Sequence, residues 1–244
     1  MKLRHYLSLG IAALILIGSF FLPNAVATIT DARRIDHLVF ADSEQINFDT
    51  APDLSLIERI ALAGNANTEI LPMSTGNVLN SETAAQAAMR ETSRFFSGGA
   101  FAFYYDELTA DEGIVSLIID IPIPARYILV WQFDITDVAG NSVTVTIDDE
   151  TGIIVRLVYR MGSRDESLID LGQRATNDEL FYTAARRLAD MMAVYYGHDV
   201  ILADYQFSGS GNLSYYRADI SDAGQIVPMY GVVRRASFSL NERV

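Results

Sequence analysis

The stretch that most constrains what this chain can fold into runs from Tyr127 to Arg160, YILVWQFDITDVAGNSVTVTIDDETGIIVRLVYR. Tyr127, Leu129, Trp131, Phe133 and Ile135 alternate with Gln132 and Asp134. Val143, Val145 and Ile147 alternate with Ser142, Thr144, Thr146 and Asp148. Ile153, Val155, Leu157 and Tyr159 alternate with Arg156 and Arg160. Successive side chains of a strand point to opposite faces, so the pattern predicts three antiparallel strands with one buried side and one wet side. Gly152 takes the left-handed conformation that closes the short hairpin after Asp148, and Asp137 to Asn141 supplies the other turn. A slip of one residue would turn every apolar side chain outward, so the register is tightly set.

The start of the chain predicts export. Lys2 and Arg4 precede an apolar run from Tyr6 to Leu22, and Pro23 and then Ala25-Val26-Ala27 follow in the order of a secretory signal with its cleavage site. A run of this length falls between a signal-peptide core and a membrane-spanning helix, so cleavage near Ala27 and retention as an anchor both stand. In either case the positive end stays in the cytoplasm and the remainder works outside it. The chain has no cysteine, which excludes disulfides, thiolate metal sites, a cysteine nucleophile and an acylated cysteine anchor. Its formal charge of -13 repels phosphate backbones and argues against a nucleic-acid partner.

Downstream of the export segment, residues 28–80 read as a tether with one short helix. Ser55 and Glu58 form a capping box that opens this helix, and Gly64 stops it. Asn65 to Asn80 is rich in turn formers and reads as loop. A second helix is predicted over Glu82–Phe96, capped by Ser81, with Ala85, Ala88, Met89, Thr92, Phe95 and Phe96 on one face. Strands follow at Phe101–Tyr105 and Ile114–Ile121, and the meander completes a unit over 81–160. A second unit over 161–244 begins with a helix opened by Thr176 and Glu179, with Phe181, Ala184, Leu188, Met191 and Tyr195 inward. It continues with strands at Val200–Phe207, Leu213–Ile220 and Val232–Leu240. The repeated order of helix and strands predicts an α+β fold of helix-plus-antiparallel-meander units, two in tandem, each helix covering one face of its sheet.

The hairpin Val145-Thr146-Ile147-Asp148-Asp149-Glu150-Thr151-Gly152-Ile153-Ile154, with Trp131-Gln132-Phe133 on the preceding strand, resembles the PepSY-type domain. Thr-Gly comes one residue later than in that family's usual turn, because Asp148-Asp149-Glu150 offers two aspartates. The resemblance covers about residues 81–160 and, more weakly, 176–240. It implies a cystatin-like α+β fold, exported or membrane-anchored, that binds or modulates a protease or signalling partner. It implies no catalytic residues.

Candidate sites are few. Asp148, Asp149 and Glu150 present oxygens of the kind Ca2+ prefers, but no loop of spaced ligands accompanies them, and a solvated turn is the plainer expectation. Asp106, Glu107, Asp111 and Glu112 offer carboxylates for acid–base work but read as a solvated loop. His5 lies in the export segment, and neither His37 nor His198 has metal-ligand spacing. His198 reads as a charge near a helix C-terminus. Ser208-Gly209-Ser210-Gly211 is a turn, lacking the strand-to-helix context of a nucleophile elbow. Tyr104, Tyr105, Tyr195, Tyr196, Tyr215 and Tyr216 occur in pairs. Within a strand such a pair sends one ring to the wet face, where tyrosine serves either an interface or the edge of a core.

No catalytic, cofactor or metal residue is assigned. The expectation is a non-catalytic exported or membrane-anchored protein that binds or regulates an envelope protein partner. The alternatives are an extracytoplasmic hydrolase using carboxylates among Asp106, Glu107, Asp111, Asp134 and Asp204, and a cell-wall-associated structural module.

Overall fold

The computed structural model describes residues 53–97, 101, 103–104, 107–162, 177–208, 213–234 and 236–241. All of these lie within a compact unit spanning Ala51–Val244. The helices are α1 (Leu56–Gly64), α2 (Ser81–Phe96) and α3 (Asn177–Tyr196). The strands are β1 (Thr68–Pro72), β2 (Thr109–Ala110), β3 (Ile114–Asp120), β4 (Tyr127–Thr136), β5 (Ser142–Asp148), β6 (Ile154–Arg160), β7 (Asp199–Ser208), β8 (Leu213–Asp222), β9 (Gln225–Arg234) and β10 (Ser237–Leu240).

The meander forms as its alternation requires. Trp131 lies opposite Ile147 and Phe133 opposite Val145, while Val145 faces Leu157 and Val143 faces Tyr159. Gly152 has φ +70°, and its N–H donates to the Asp148 carbonyl at 2.8 Å to close the turn. Between Thr146 and Ile147 the register shifts, so Ile147 pairs with Ile154 and Thr146 with Arg156. The skipped residue is Val155, a bulge of the kind that frees backbone groups for other partners.

The fold class departs from the expectation of two helix-plus-meander α+β units. The ten strands of the described residues all belong to one antiparallel sheet, in the order β1-β3-β4-β5-β6-β10-β9-β8-β7 with β2 alongside β4. The architecture is β-rich, with three short helices among the described residues laid on a large sheet. The join is β10. The apolar run from Val232 to Leu240 reads as one strand, but the chain reverses within it. Phe238 then lies opposite Tyr159 of β6 on one side and Val233 of β9 on the other. Four residues thus stitch what would have been two separate sheets. Phe238 stacks on Tyr159 with ring centroids 5.2 Å apart. Phe96 closes over both from α2, at 5.5 Å from Tyr159 and 6.2 Å from Phe238. Next to the join, Gly231 faces Tyr216, whose hydroxyl donates to the Ser239 carbonyl at 2.7 Å. A Cβ on Gly231 would stand 2.4 Å from that hydroxyl, so only glycine lets the ring cross the strand.

Helices cover both faces. On one side Asp149 reaches the backbone that leads into α2, sharing that face with Trp131. On the other, Asp148 meets Arg59 of α1. This is why Ile128 and Val130 are buried as well as Leu129 and Trp131, whereas beyond Trp131 only Phe133 and Ile135 remain inside. Asn241 pins α1 to the sheet by donating to the carbonyls of Ile60 and Val155 at 2.7 and 2.8 Å.

Several local expectations shift. The α2 cap is Asn80, whose side chain accepts from Thr83 N–H at 2.9 Å while Thr83 Oγ1 accepts from Asn80 N–H at 3.0 Å. The inward face of α2 is Ala84, Ala87, Ala88, Glu91, Thr92, Phe95 and Phe96, turned slightly from the predicted one. The expected loop at 65–80 contains β1, an edge strand ending at Pro72, where the missing donor is tolerated. Phe101, Phe103 and Tyr104 are not in a strand, although Phe101 and Phe103 are buried. The Ser55–Glu58 capping box forms as read, and Phe181, Ala184, Leu188, Met191 and Tyr195 are all buried. Among the described residues no helix is long and apolar enough to cross a membrane. The expected export segment at 1–27 and the Thr176 cap lie outside the described residues.

Candidate functional site

Asp148 and Asp149 are both buried, and neither is part of a solvated turn. Asp149 Oδ1 accepts from Trp131 Nε1–H at 2.8 Å and Leu79 N–H at 3.1 Å, and Oδ2 accepts from Asn77 and Val78 N–H at 2.9 and 2.7 Å. Asp148 Oδ2 accepts from the Thr151 N–H and hydroxyl, each at 2.8 Å, and Oδ1 accepts from Arg59 at 3.1 Å. Arg59, itself buried, also pairs with Glu150. Desolvation works against its charge, but the carboxylates beside it outweigh that and hold its pKa above the ordinary arginine value. Every oxygen of the two aspartates is met by a donor hydrogen, which occupies the direction from which a cation would approach. The turn is a structural hub, and among the described residues no group of acidic or histidine side chains has metal-binding proximity.

The remaining candidates are dispersed. Asp111 Oδ1 accepts from Asp134 N–H at 2.8 Å, and Asp134 Oδ1 accepts from Thr144 Oγ1–H at 2.5 Å. These two carboxylates are therefore neighbours, but both stand exposed on the outer end of the meander. Glu107 and Glu112 are exposed too, and Asp204 lies on β7 at the far edge of the sheet. His198 Nδ1 is 3.8 Å from Asp222 Oδ1, beside a shallow hollow at the end of α3. Tyr215 is 52 % exposed and Tyr216 buried, splitting across β8 as expected, whereas Tyr195 and Tyr196 are both buried. His5, His37, Asp106, Tyr105 and the Gly209–Gly211 turn lie outside the described residues.

The arrangement with the shape of a recognition site is the hollow between α2 and α3, which sequence reasoning did not single out. The two helices meet through a buried polar cluster. Glu91 is buried, ion-paired to Arg90 and Arg94 and hydrogen-bonded by the Tyr195 hydroxyl at 3.1 Å. Arg94 also donates to the Tyr195 carbonyl at 3.1 Å and lies over that ring at 5.1 Å, a cation–π placement. Between the helices this leaves a hollow of about 480 Å3 lined by Arg94, Phe95, Ser97, Arg187, Asp190, Met191, Val194 and Tyr195. Val194 is 82 % exposed, the most exposed of the large apolar side chains among the described residues, and it also lines the hollow at the end of α3. The sequence did carry a signal: Arg187, Asp190 and Val194 recur at helical spacing off the apolar stripe, and an apolar residue there has no core to enter.

No family model matches the sequence, and no curated protein or solved structure matches it either.

Proposed function

We propose that this chain is a non-catalytic binding or regulatory protein of the cell envelope, exported or held to the membrane by its N-terminal segment, that engages another envelope protein. The observation that supports it best is how the reactive groups are used. Of the five buried carboxylates among the described residues, Asp148, Asp149, Asp137 and Glu91 are engaged by donors from the protein's own chain, while Asp120 keeps one buried oxygen without a hydrogen-bond partner. The exposed carboxylates Glu107, Asp111, Asp134 and Asp204 line none of the hollows around α3 and α1. Large apolar side chains meanwhile stand in solvent around α3 and its neighbouring strands, Val194 at 82 %, Ile226 at 67 % and Ile201 at 66 %, as a surface that meets another protein does. The Lys2–Arg4 flank, the apolar run to Leu22 and Ala25-Val26-Ala27 support the envelope as its place of work.

The test is crosslinking in intact cells followed by capture of the tagged full-length protein. The expected result is one near-stoichiometric envelope protein. Recovery of the bare protein across growth conditions would count against this reading. Retention on wall polymer through high salt would favour the structural-module alternative instead.

A further inference from the structure

Resting on the envelope-binding reading, the geometry points to the α2–α3 hollow as the docking site for a peptide segment that sets an apolar side chain beside a carboxylate. The floor is apolar and rigid: Phe95, Met191 and Tyr195 are each at least nine-tenths buried and fixed by the helix–helix contact, with Phe95 and Tyr195 edge to face at 5.5 Å. Such a floor accepts a side chain without reorganising, which keeps the entropic cost of binding low. Val194 extends the apolar surface to the rim.

The charge around the floor chooses the partner. The chain is strongly acidic, yet Arg94 from α2 and Arg187 from α3 line this hollow beside a single carboxylate, Asp190. Glu91 is buried and already committed to Arg90, Arg94 and Tyr195. Arg187 is exposed and has no ion pair or hydrogen bond among the described residues, although it lines the hollow. An arginine fork without an acceptor at the rim of an apolar hollow is matched by a carboxylate, which accepts two parallel hydrogen bonds from it. A basic segment would meet Arg94 and Arg187 at close quarters, and a purely apolar one would leave Arg187 unpaired over its own contact surface.

The direct test titrates the full-length protein, in detergent micelles, into a short fluorescein-labelled peptide that alternates leucine and glutamate, read by anisotropy. The glutamate peptide is expected to bind at least about tenfold more tightly than its glutamine version, and the lysine version not to bind. Arg187→Glu and Val194→Asp are each expected to weaken binding about tenfold with an unchanged melting temperature, since both side chains are exposed. Equal affinity for the glutamate and glutamine peptides, or wild-type affinity in both variants, overturns the proposal. Photocrosslinkers at Val194 and at Tyr230, which lies on the opposite face of the sheet, separate this failure from that of the broader reading. Capture of one envelope protein from Tyr230 but not Val194 rejects the hollow and leaves the envelope-binding reading intact. Capture from neither position rejects both.

Discussion

The indole N–H of Trp131 donates to Asp149 Oδ1 across 2.8 Å, and the same carboxylate gathers the N–H groups of Asn77, Val78 and Leu79. A turn of the meander thereby holds both the sole tryptophan and the backbone that leads into α2. Asp149→Ala leaves four donors without this acceptor, one in a buried and three in part-buried settings, and is expected to cost about 3–5 kcal/mol. Asp149→Asn, which keeps one acceptor, is expected to cost less. Urea denaturation followed by tryptophan emission measures both losses. A wild-type midpoint for Asp149→Ala would refute the role of hub.

The neighbouring aspartate serves the opposite face of the sheet. Arg59 and Asp148 form a buried pair at 3.1 Å, with side chains 6 % and 0 % exposed. Removing one partner strands the other charge, so Arg59→Met is expected to destabilise by about 3–5 kcal/mol. Combining it with Asp148→Asn is expected to lose less than the two single effects together, with a coupling of about 1–3 kcal/mol. Additive losses in the double-mutant cycle would mean that the pair does not act as a unit.

These two turn carboxylates also mark where sequence reading stops. The meander, the Ser55–Glu58 cap, the Gly152 turn and the inward stripe of α3 were legible because each depends on neighbours a few residues away. The burial of Asp148 and Asp149 depends on Arg59 and on Asn77–Leu79, partners 70 to 91 residues distant along the chain when Glu150 is included. No local pattern carries such pairings, so a buried hub reads as a wet turn. The same holds for β10. Nothing within Ser237–Leu240 announces insertion between β6 and β9, and that insertion converts two expected meander units into one sheet. Of the candidate site, the arginines of α2 and α3 were visible singly, but their meeting around one hollow is a product of helix packing.

Thr92 supplies an opposite kind of prediction. It is fully buried on the inner face of α2, and its Oγ1 has no hydrogen-bond partner among the described residues. A buried hydroxyl without a partner carries its desolvation cost uncompensated. Thr92→Val replaces it with a methyl group of similar shape and is expected to be neutral or to stabilise by about 1 kcal/mol, read as a higher denaturant midpoint at unchanged slope. A marked loss of stability would show that the hydroxyl has a partner.

The end of α3 makes the protein's stability depend on alkaline pH. Ile154 opens β6 beside the bulge, and both of its backbone groups are engaged from the helix. Its N–H donates to the Tyr195 hydroxyl at 3.0 Å, and its carbonyl accepts from the Tyr196 hydroxyl at 2.9 Å. Burial, the largest cause, raises the pKa of both phenols well above the ordinary tyrosine value of 10.0, with Tyr196 and Glu91 adding to the effect at Tyr195. The folded state then keeps protons that the unfolded chain releases. The stability contributed by this difference is fully present below about pH 10 and is lost as pH rises through the folded-state values. Wild type is therefore expected to unfold more readily as pH climbs beyond about 10, and these two phenols to ionise only with unfolding. Tyr196→Phe lowers stability at neutral pH by about 1 kcal/mol, through the lost bond to Ile154, but flattens the alkaline decline. Parallel denaturation midpoints and tyrosinate absorbance across the alkaline range measure both effects. Early ionisation of all tyrosines in the folded protein, or an equally steep decline in the variant, would contradict the link between this bond and alkaline unfolding.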